Sequence, residues 1–381
     1  MAVKDFILFI TVCIFSHLAG VAQSDFCKKL NQPGLIFCDD FESTQAISSR
    51  YFEYNNNNGD FVPLGGLGRN SSTGMRVRWQ PGEVGAGSLS KSFGRTPSTY
   101  IGKNASLPDS TFKEVYWRMD VRHQDGWLGG GPAKLSRALT MANGNWATGA
   151  MAHMWSGGQG DFYLGMDPAT GIDASGKLVS TKYNDFANLR WLGFKAGNIP
   201  LYSSERVGEW FCIEGHVRLN TPGKSDGVFE FWINDTLQAG SYNLNWHGNW
   251  NADERNYGIN AIFFENYWNA GSPVLQERYF DNLVIATSKI SCKSATTHTK
   301  ETSPLHCKVW QDPQHLNWPS DFERNSTLKI YSLFGQLVLQ PPVNISGQLN
   351  LAELPLPAGI YLYQLSGLSC GTSTGKLILH P

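Results

Sequence analysis

Trp210-Phe-Cys-Ile-Glu-Gly-His-Val-Arg-Leu-Asn220 reads with a period of two. Phe211, Ile213, Val217 and Leu219 fall on one side, and Trp210, Cys212, Glu214, His216 and Arg218 on the other, because successive side chains of a strand point to opposite faces. The first side is a core. The second holds an aromatic ring, an acid, an imidazole and a guanidinium in a row, with same-face neighbours about 6–7 Å apart. That is a richer chemistry than the Thr, Ser, Lys and Glu of an ordinary solvated strand, so the row is a candidate binding or catalytic surface.

Working outward, Asn-Thr-Pro-Gly-Lys-Ser-Asp-Gly is a turn segment, and Val228-Phe-Glu-Phe-Trp-Ile-Asn234 after it alternates again. Phe229, Phe231 and Ile233 face the core; Glu230 and Trp232 face the other way. If the two strands pair as a hairpin with their cores on one side, Glu230 falls opposite His216 or Arg218, with Cβ atoms about 5 Å apart. Glu114-Val-Tyr-Trp-Arg-Met-Asp-Val-Arg122 repeats the pattern, with Tyr116, Arg118, Asp120 and Arg122 on its polar face. Further short strands are read at Leu35–Glu42, Arg76–Trp79, Ser88–Phe93, Lys134–Thr140, Thr148–Trp155, Asn260–Trp268 and Tyr279–Ala286. Lys177–Gly197 reads as a loop with a short helix, and Ala239–Tyr257 as a long loop of the kind that lines a site. No helical period of a dozen residues occurs. The expectation is an all-β sandwich of two antiparallel sheets.

The 381-residue chain carries 13 Trp, 40 Gly and 17% charged residues, a composition of strand formers, turns and stacking rings. Its net charge of −1 gives no electrostatic case for nucleic acid or an anionic membrane. Lys4 followed by an apolar run from Phe6 to about Leu18 and small residues up to Gln23 reads as a signal peptide over residues 1–23. No later segment is long and apolar enough for a membrane span. Without Cys13, six cysteines remain, and in an exported chain disulfides are the expected state; spacing favours Cys27 with Cys38. The organisation expected is a main domain over 24–292, a Ser/Thr-rich linker over 293–304 and a second small β domain over 305–381.

Two resemblances extend this reading. Ile330-Tyr-Ser-Leu-Phe-Gly-Gln-Leu-Val338, Leu351-Ala-Glu-Leu-Pro with Pro357-Ala-Gly-Ile-Tyr-Leu362, and Gly375-Lys-Leu resemble the type IX secretion C-terminal sorting domain of Bacteroidetes, a small Ig-like β-sandwich. The resemblance implies export by the type IX secretion machinery, to the medium or the cell surface. It departs at the start of the module, where Gln311-Asp-Pro-Gln stands in place of Tyr-Pro-Asn-Pro. Cys38-Asp-Asp-Phe-Glu42, the turn at Pro222-Gly and the closing strand Tyr279–Ala286 look like the concanavalin A-like jelly-roll superfamily of lectins, glucanases and polysaccharide lyases. The Glu-x-Asp-x-x-Glu strand of laminarinase-type hydrolases is missing.

Retaining hydrolysis needs two carboxyls about 5–5.5 Å apart, and Glu214 has no acidic neighbour on its face. β-Elimination on a uronate needs a cation at the carboxylate, a base for the C5 proton and an acid for the leaving oxygen. Arg118, Arg122, Lys134, Arg137 and Arg218 are candidates for the first, and His216, His153, Tyr183 and Tyr267 for the proton transfers, with His216 placed first. Tyr116, Glu214, Trp210, Trp232 and Glu230 are candidate sugar contacts. Against these stand bland readings: cross-strand ion pairs for Arg118–Asp120 and Arg218–Glu230, a satisfied buried histidine for His153, and sheet packing for the two tryptophans. Asp39, Asp40 and Asp281 are expected on adjacent strands, where a structural Ca²⁺ is a further expectation. The function expected is a lyase acting on an acidic polysaccharide, with a non-catalytic glycan-binding module and a glycoside hydrolase as alternatives. A lyase reading predicts that His216, Arg218, Glu214, Tyr267 and Lys134 converge in one cleft.

Overall fold

The computed structural model describes residues 26–132, 134–156, 161–250, 256–292, 309–312, 314–318, 326–333, 336–343, 347–367 and 371–380. The expected signal peptide and linker, and Cys307 and Cys370, lie outside the described residues. The chain divides into two compact units, Met1–Thr297 and His298–Pro381.

In the first unit the strands are, in chain order, β1 (Leu35–Asp39), β2 (Glu53–Asn55), β3 (Phe61–Leu64), β4 (Gly74–Trp79), β5 (Gly85–Ser92), β6 (Glu114–His123), β7 (Lys134–Met141) and β8 (Thr148–Ser156). They continue as β9 (Leu164–Thr170), β10 (Arg190–Trp191), β11 (Lys195–Ala196), β12 (Trp210–Arg218), β13 (Gly227–Ile233), β14 (Thr236–Leu244), β15 (Ala261–Tyr267) and β16 (Gln276–Ala286). They form two eight-stranded antiparallel sheets. The first runs β14-β13-β12-β6-β16-β4-β3 with β1 on β16, and the second β10-β9-β8-β7-β15-β5-β2 with β11 on β9. This is the jelly-roll β-sandwich expected.

The period of two sets the layers. Val115, Trp117, Met119, Phe211, Ile213, Val217, Phe229 and Phe231 of the first sheet meet Leu135, Ala138, Ala152, Met154, Ile262 and Phe264 of the second in one core. Gly215 pairs with Trp117 and lies on the core side. A Cβ there would sit 2.4 Å from the indole, so the glycine is what admits the Trp117 ring. The Trp117 indole N–H donates to Ser136 Oγ of the opposite sheet at 3.0 Å, satisfying a donor that burial would otherwise strand.

Three local readings are corrected. Leu164–Thr170 is a full strand, hidden in the sequence by Gly165 and Pro168, which normally argue against a strand. Residues 239–244, expected at the start of a long loop, belong to β14 and pair with β13. Within 177–197 the chain makes a single 3-10 turn at Phe186–Asn188 and two short strands, β10 and β11, that extend the second sheet.

The second unit contains β17 (Trp310–Gln311), β18 (His315–Asn317), β19 (Thr327–Tyr331), β20 (Leu337–Leu339), β21 (Gln348–Asn350), β22 (Gly359–Gly367) and β23 (Gly371–Leu379). A three-stranded sheet, β17-β18-β21, and a four-stranded sheet, β20-β19-β22-β23, share a core of Leu316, Trp318, Leu328, Ile330, Leu365 and Leu377.

Candidate functional site

The polar face of β12 is satisfied by the protein itself. Glu214, fully buried, accepts the amide hydrogens of Ile290 at 2.6 Å and Ser291 at 3.2 Å. Burial raises its carboxyl above the usual range, while these two amides oppose the shift. Cys212 is bonded to Cys292, beside the Cys27–Cys38 bridge that spacing favoured. His216 pairs with Glu230 in the register and lies between two carboxylates, with Nδ1 3.0 Å from Glu230 and Nε2 2.7 Å from Glu114. Its ring stacks on Tyr116 at 4.0 Å. Arg118 is buried, donates to the Ser291 carbonyl and contacts Asp120. Arg122 sits between the rings of Trp210 and Tyr279, Trp232 lies under Lys289, and the exposed Arg218 donates to the Asp226 carbonyl rather than to Glu230.

The expected convergence therefore does not occur. His216, Arg218 and Glu214 stand on the first sheet, and Lys134 and Tyr267 on the second. The three aspartates proposed for calcium each accept hydrogen bonds from the protein. The Asp39 carboxylate accepts from Arg50, Tyr51 Oη and the Phe41 amide, and Asp40 from the amides of Cys27 and Glu42. Asp281 accepts from the Arg69 and Asn282 amides and Ser72 Oγ. Its carboxyl is pushed up to about 7 by burial, with Asp120 beside it adding to the rise. Among the described residues no group of three or more acids, histidines or cysteines gathers around a common point.

The second sheet presents a different outer face. Phe263, Arg137, His153 and Asp167 lie side by side on β15, β7, β8 and β9. Glu265 and Tyr267 follow Phe263 along β15, and Tyr267 is in register with Lys134 across a bulge. Arg137 is the hub. Its Nη2 is 2.5 Å from Tyr183 Oη and 2.9 Å from Glu265 Oε1, and its Nη1 donates to Asn184 Oδ1 at 3.0 Å. Lys134 Nζ is 3.9 Å from the same Glu265 oxygen and 4.6 Å from the centre of the Tyr267 ring. So five residues singled out in the sequence, Lys134, Arg137, His153, Tyr183 and Tyr267, do share one face.

Access to this face is graded. Tyr183 and Tyr267 are 39% and 40% exposed, whereas Arg137 and His153 are 2% and 1% exposed. Trp155 and Trp191 stack in parallel at 5.8 Å, and Phe186 stacks on Trp191, so a run of rings borders the polar groups. Both ring nitrogens of His153 and Glu265 Oε2 are buried without a hydrogen-bond partner among the described residues. Unpaired buried polar atoms are costly, and each calls for an explanation such as a catalytic role or a bound group. Burial, together with Arg137 and Lys134, holds the His153 imidazole well below the usual histidine range. Burial raises the Tyr183 hydroxyl although Arg137 pulls it down. Near neutral pH the face therefore offers a neutral imidazole, a weak base until a bound carboxylate offsets the two cations beside it, and a protonated phenol, which can give a proton. Asp167 is pushed up to about 6 by burial.

The carboxylates are wrongly spaced for hydrolysis. Asp167 on β9 and Glu265 on β15 are separated by β8 and β7, three strand spacings or about 14 Å between backbones. Paired acids of glycosidases stand about 5–9.5 Å apart. Asp167 was missed in the sequence because its strand was missed. Glu265 was legible: it lies two residues before Tyr267 and so on the same face.

No family model matches the chain, and no curated protein matches it. Among solved structures, the alginate lyase vAL-1 from Chlorella virus is 14% identical with a TM-score of 0.44, covering 67% of this chain and 100% of that one. An endo-β-1,4-glucuronan lyase from the fungus Trichoderma reesei is 10% identical with a TM-score of 0.44, covering 67% and 96%. A Bacteroides ovatus mixed-linkage glucan GH16 protein is 10% identical with a TM-score of 0.40, covering 66% and 100%.

The contrast between the two faces is testable. His216→Ala removes the hydrogen bonds to Glu230 and Glu114 and the ring stacked on Tyr116, and its expected outcome is a loss of about 1–3 kcal/mol in chemical denaturation with glycan binding unchanged. A variant as stable as the wild type but unable to bind would return the site to β12.

Proposed function

We propose that the protein is a polysaccharide lyase that cleaves a uronate-containing glycan by β-elimination on the outer face of the second sheet. The observation that carries this reading is the Arg137 guanidinium bound to the Tyr183 hydroxyl, beside an unpartnered neutral His153 and next to Lys134. Arg137 and Lys134 neutralise the C6 carboxylate, which stabilises the charge that develops as the C5 proton leaves. His153 takes that proton. The C5–H electron pair becomes the C4–C5 double bond, the C4–O bond breaks, and the leaving oxygen takes the Tyr183 proton. The products are a new chain end and an unsaturated uronate. Tyr267 and the Trp155–Trp191 stack supply ring surfaces for neighbouring sugars.

The near-complete burial of Arg137 and His153 favours a second reading, a glycan-binding face without turnover. A panel of acidic polysaccharides separates the two: elimination generates ultraviolet-absorbing unsaturated ends, whereas binding alone generates none, and hydrolysis gives reducing ends without absorbance. Tyr183→Phe is expected to lower kcat by about 10²–10⁴-fold with a much smaller change in KM. Because His153 stays neutral, the wild-type rate is not expected to titrate away near pH 6.5 as it would with an ordinary histidine base. An undiminished rate in Tyr183→Phe, or no unsaturated product from any uronate polymer, would exclude the mechanism.

We propose further that the second unit is a type IX sorting module and that the protein is exported. The stretches carrying that resemblance contribute β19, β20, β22 and β23, all strands of one sheet, which supports the reading. Deleting residues 305–381 is expected to trap the protein in the periplasm of a host with the type IX machinery. Equal export of the truncated chain would contradict it.

A further inference from the structure

The charges on the outer face of the second sheet are segregated. Its cations, Lys134 and Arg137, stand on β7. On one side of them the carboxylate of Asp167 stands on β9, two strand spacings or about 10 Å away. Of the other acids on this face, Glu265 is already held by both cations, and Glu53 of β2, on the far side of the cations from Asp167, accepts from Tyr100 Oη at 2.7 Å. The Asp167 carboxylate has no hydrogen-bond partner among the described residues and lies at 9% exposure, at the edge of solvent.

The surroundings of Asp167 are aromatic. Its same-face neighbours on β9 are the small Gly165 and Ala169. Gly165 pairs with Trp155 on one side and Ala169 with Trp191 on the other, and the two indoles meet in a parallel stack across this strand. Phe194 packs on Gly165, where a Cβ would stand 2.4 Å from its ring. A carboxylate accepts hydrogen bonds from hydroxyl or amide N–H groups and repels another carboxylate. Flat indole surfaces pack against the apolar faces of sugar rings.

We propose that this face takes a polysaccharide in which a uronate alternates with an uncharged sugar, the uronate over Lys134 and Arg137 and the uncharged sugar against Asp167, Trp155 and Trp191. This rests on the elimination reading for the identity of the uronate position. The separation of the two ends exceeds one sugar ring, so the ends address neighbouring residues of the glycan. A polymer of uronates alone brings a second carboxylate to Asp167. An alternating polymer brings hydroxyl and amide donors there instead. Asp167 thus acts as a filter on the sugar next to the one that reacts.

The test compares oligosaccharides of equal length: uronate alternating with N-acetylhexosamine (hyaluronan and heparosan fragments) against uronate on every ring (alginate and glucuronan fragments). Binding to the full mature protein is read by titration calorimetry, and turnover by the absorbance of unsaturated ends. The wild type is expected to bind the alternating set tighter by about tenfold, the effect of a single unfavourable charge contact. Asp167→Asn is expected to tighten binding of the all-uronate set and close most of that gap, with an unchanged melting temperature. If that variant is destabilised, Trp191→Ala, an exposed position, is expected to weaken the alternating set more than the all-uronate set. Equal or tighter binding of the all-uronate set by the wild type, with no response to either variant, overturns the proposal. Selective binding without unsaturated product upholds the glycan class and overturns elimination; unsaturated product without selectivity does the reverse. Failure to bind either set overturns both.

Discussion

Glu214 holds the amide hydrogens of Ile290 and Ser291, and the Cys212–Cys292 bridge fixes the same segment to the same strand. This clamp closes one of the two outer faces of the sandwich. A buried carboxylate is tolerable only with donors in place, and the chain following β16 supplies them. The bridge spans 80 residues, which in chain-entropy terms stabilises the fold by about 4–5 kcal/mol. With Arg118 bonded to the Ser291 carbonyl and His216 enclosed by Glu114 and Glu230, the row on β12 has little hydrogen-bonding capacity left for a ligand. On the outer face of the second sheet a whole imidazole, His153, and Glu265 Oε2 remain unpaired among the described residues, whereas on the first Arg118 and Arg122 each leave a single Nε unpaired.

That asymmetry orders the rest of the molecule. The core needs both sheets, and Trp117 over Gly215 with its indole on Ser136 links them at the centre. With the inner faces packed and the first outer face clamped, a second run of rings lies over the second sheet. Trp155, Trp191, Phe186, Tyr183 and Tyr267 border a short row of charge, and Arg137 organises it by binding a phenol, a carboxylate and an amide oxygen at once. A guanidinium suits that place because its donors are set in a fixed plane.

The sequence made the sandwich legible because alternation survives wherever one face is buried. β6, β12 and β13 were each readable from period two. β9 was not: Gly165 and Pro168 interrupt the strand signal, and the strand is held by pairing with β8 that no local pattern announces. The Cys27–Cys38 bridge followed from spacing, while Cys212–Cys292 joins residues that only the folded sheet brings together. For the site, residue type was informative and face was not. Lys134, Arg137, His153, Tyr183 and Tyr267 were all named from the sequence, but so was the row at Glu214 and His216. Alternation reports which residues share a face; it is silent on what covers that face. Only the return of residues 289–292 across β12 distinguishes a structural polar row from an open one.

The most direct measurement is the location of a bound oligosaccharide, by crystallography of the Tyr183→Phe protein soaked with a uronate-containing tetrasaccharide. The expected result is a uronate carboxylate against Arg137 and Lys134, with the neighbouring sugar beside Trp155 and Trp191. An oligosaccharide seated instead on the outer face of β12 and β6, displacing Ile290 and Ser291 from Glu214, would contradict the account.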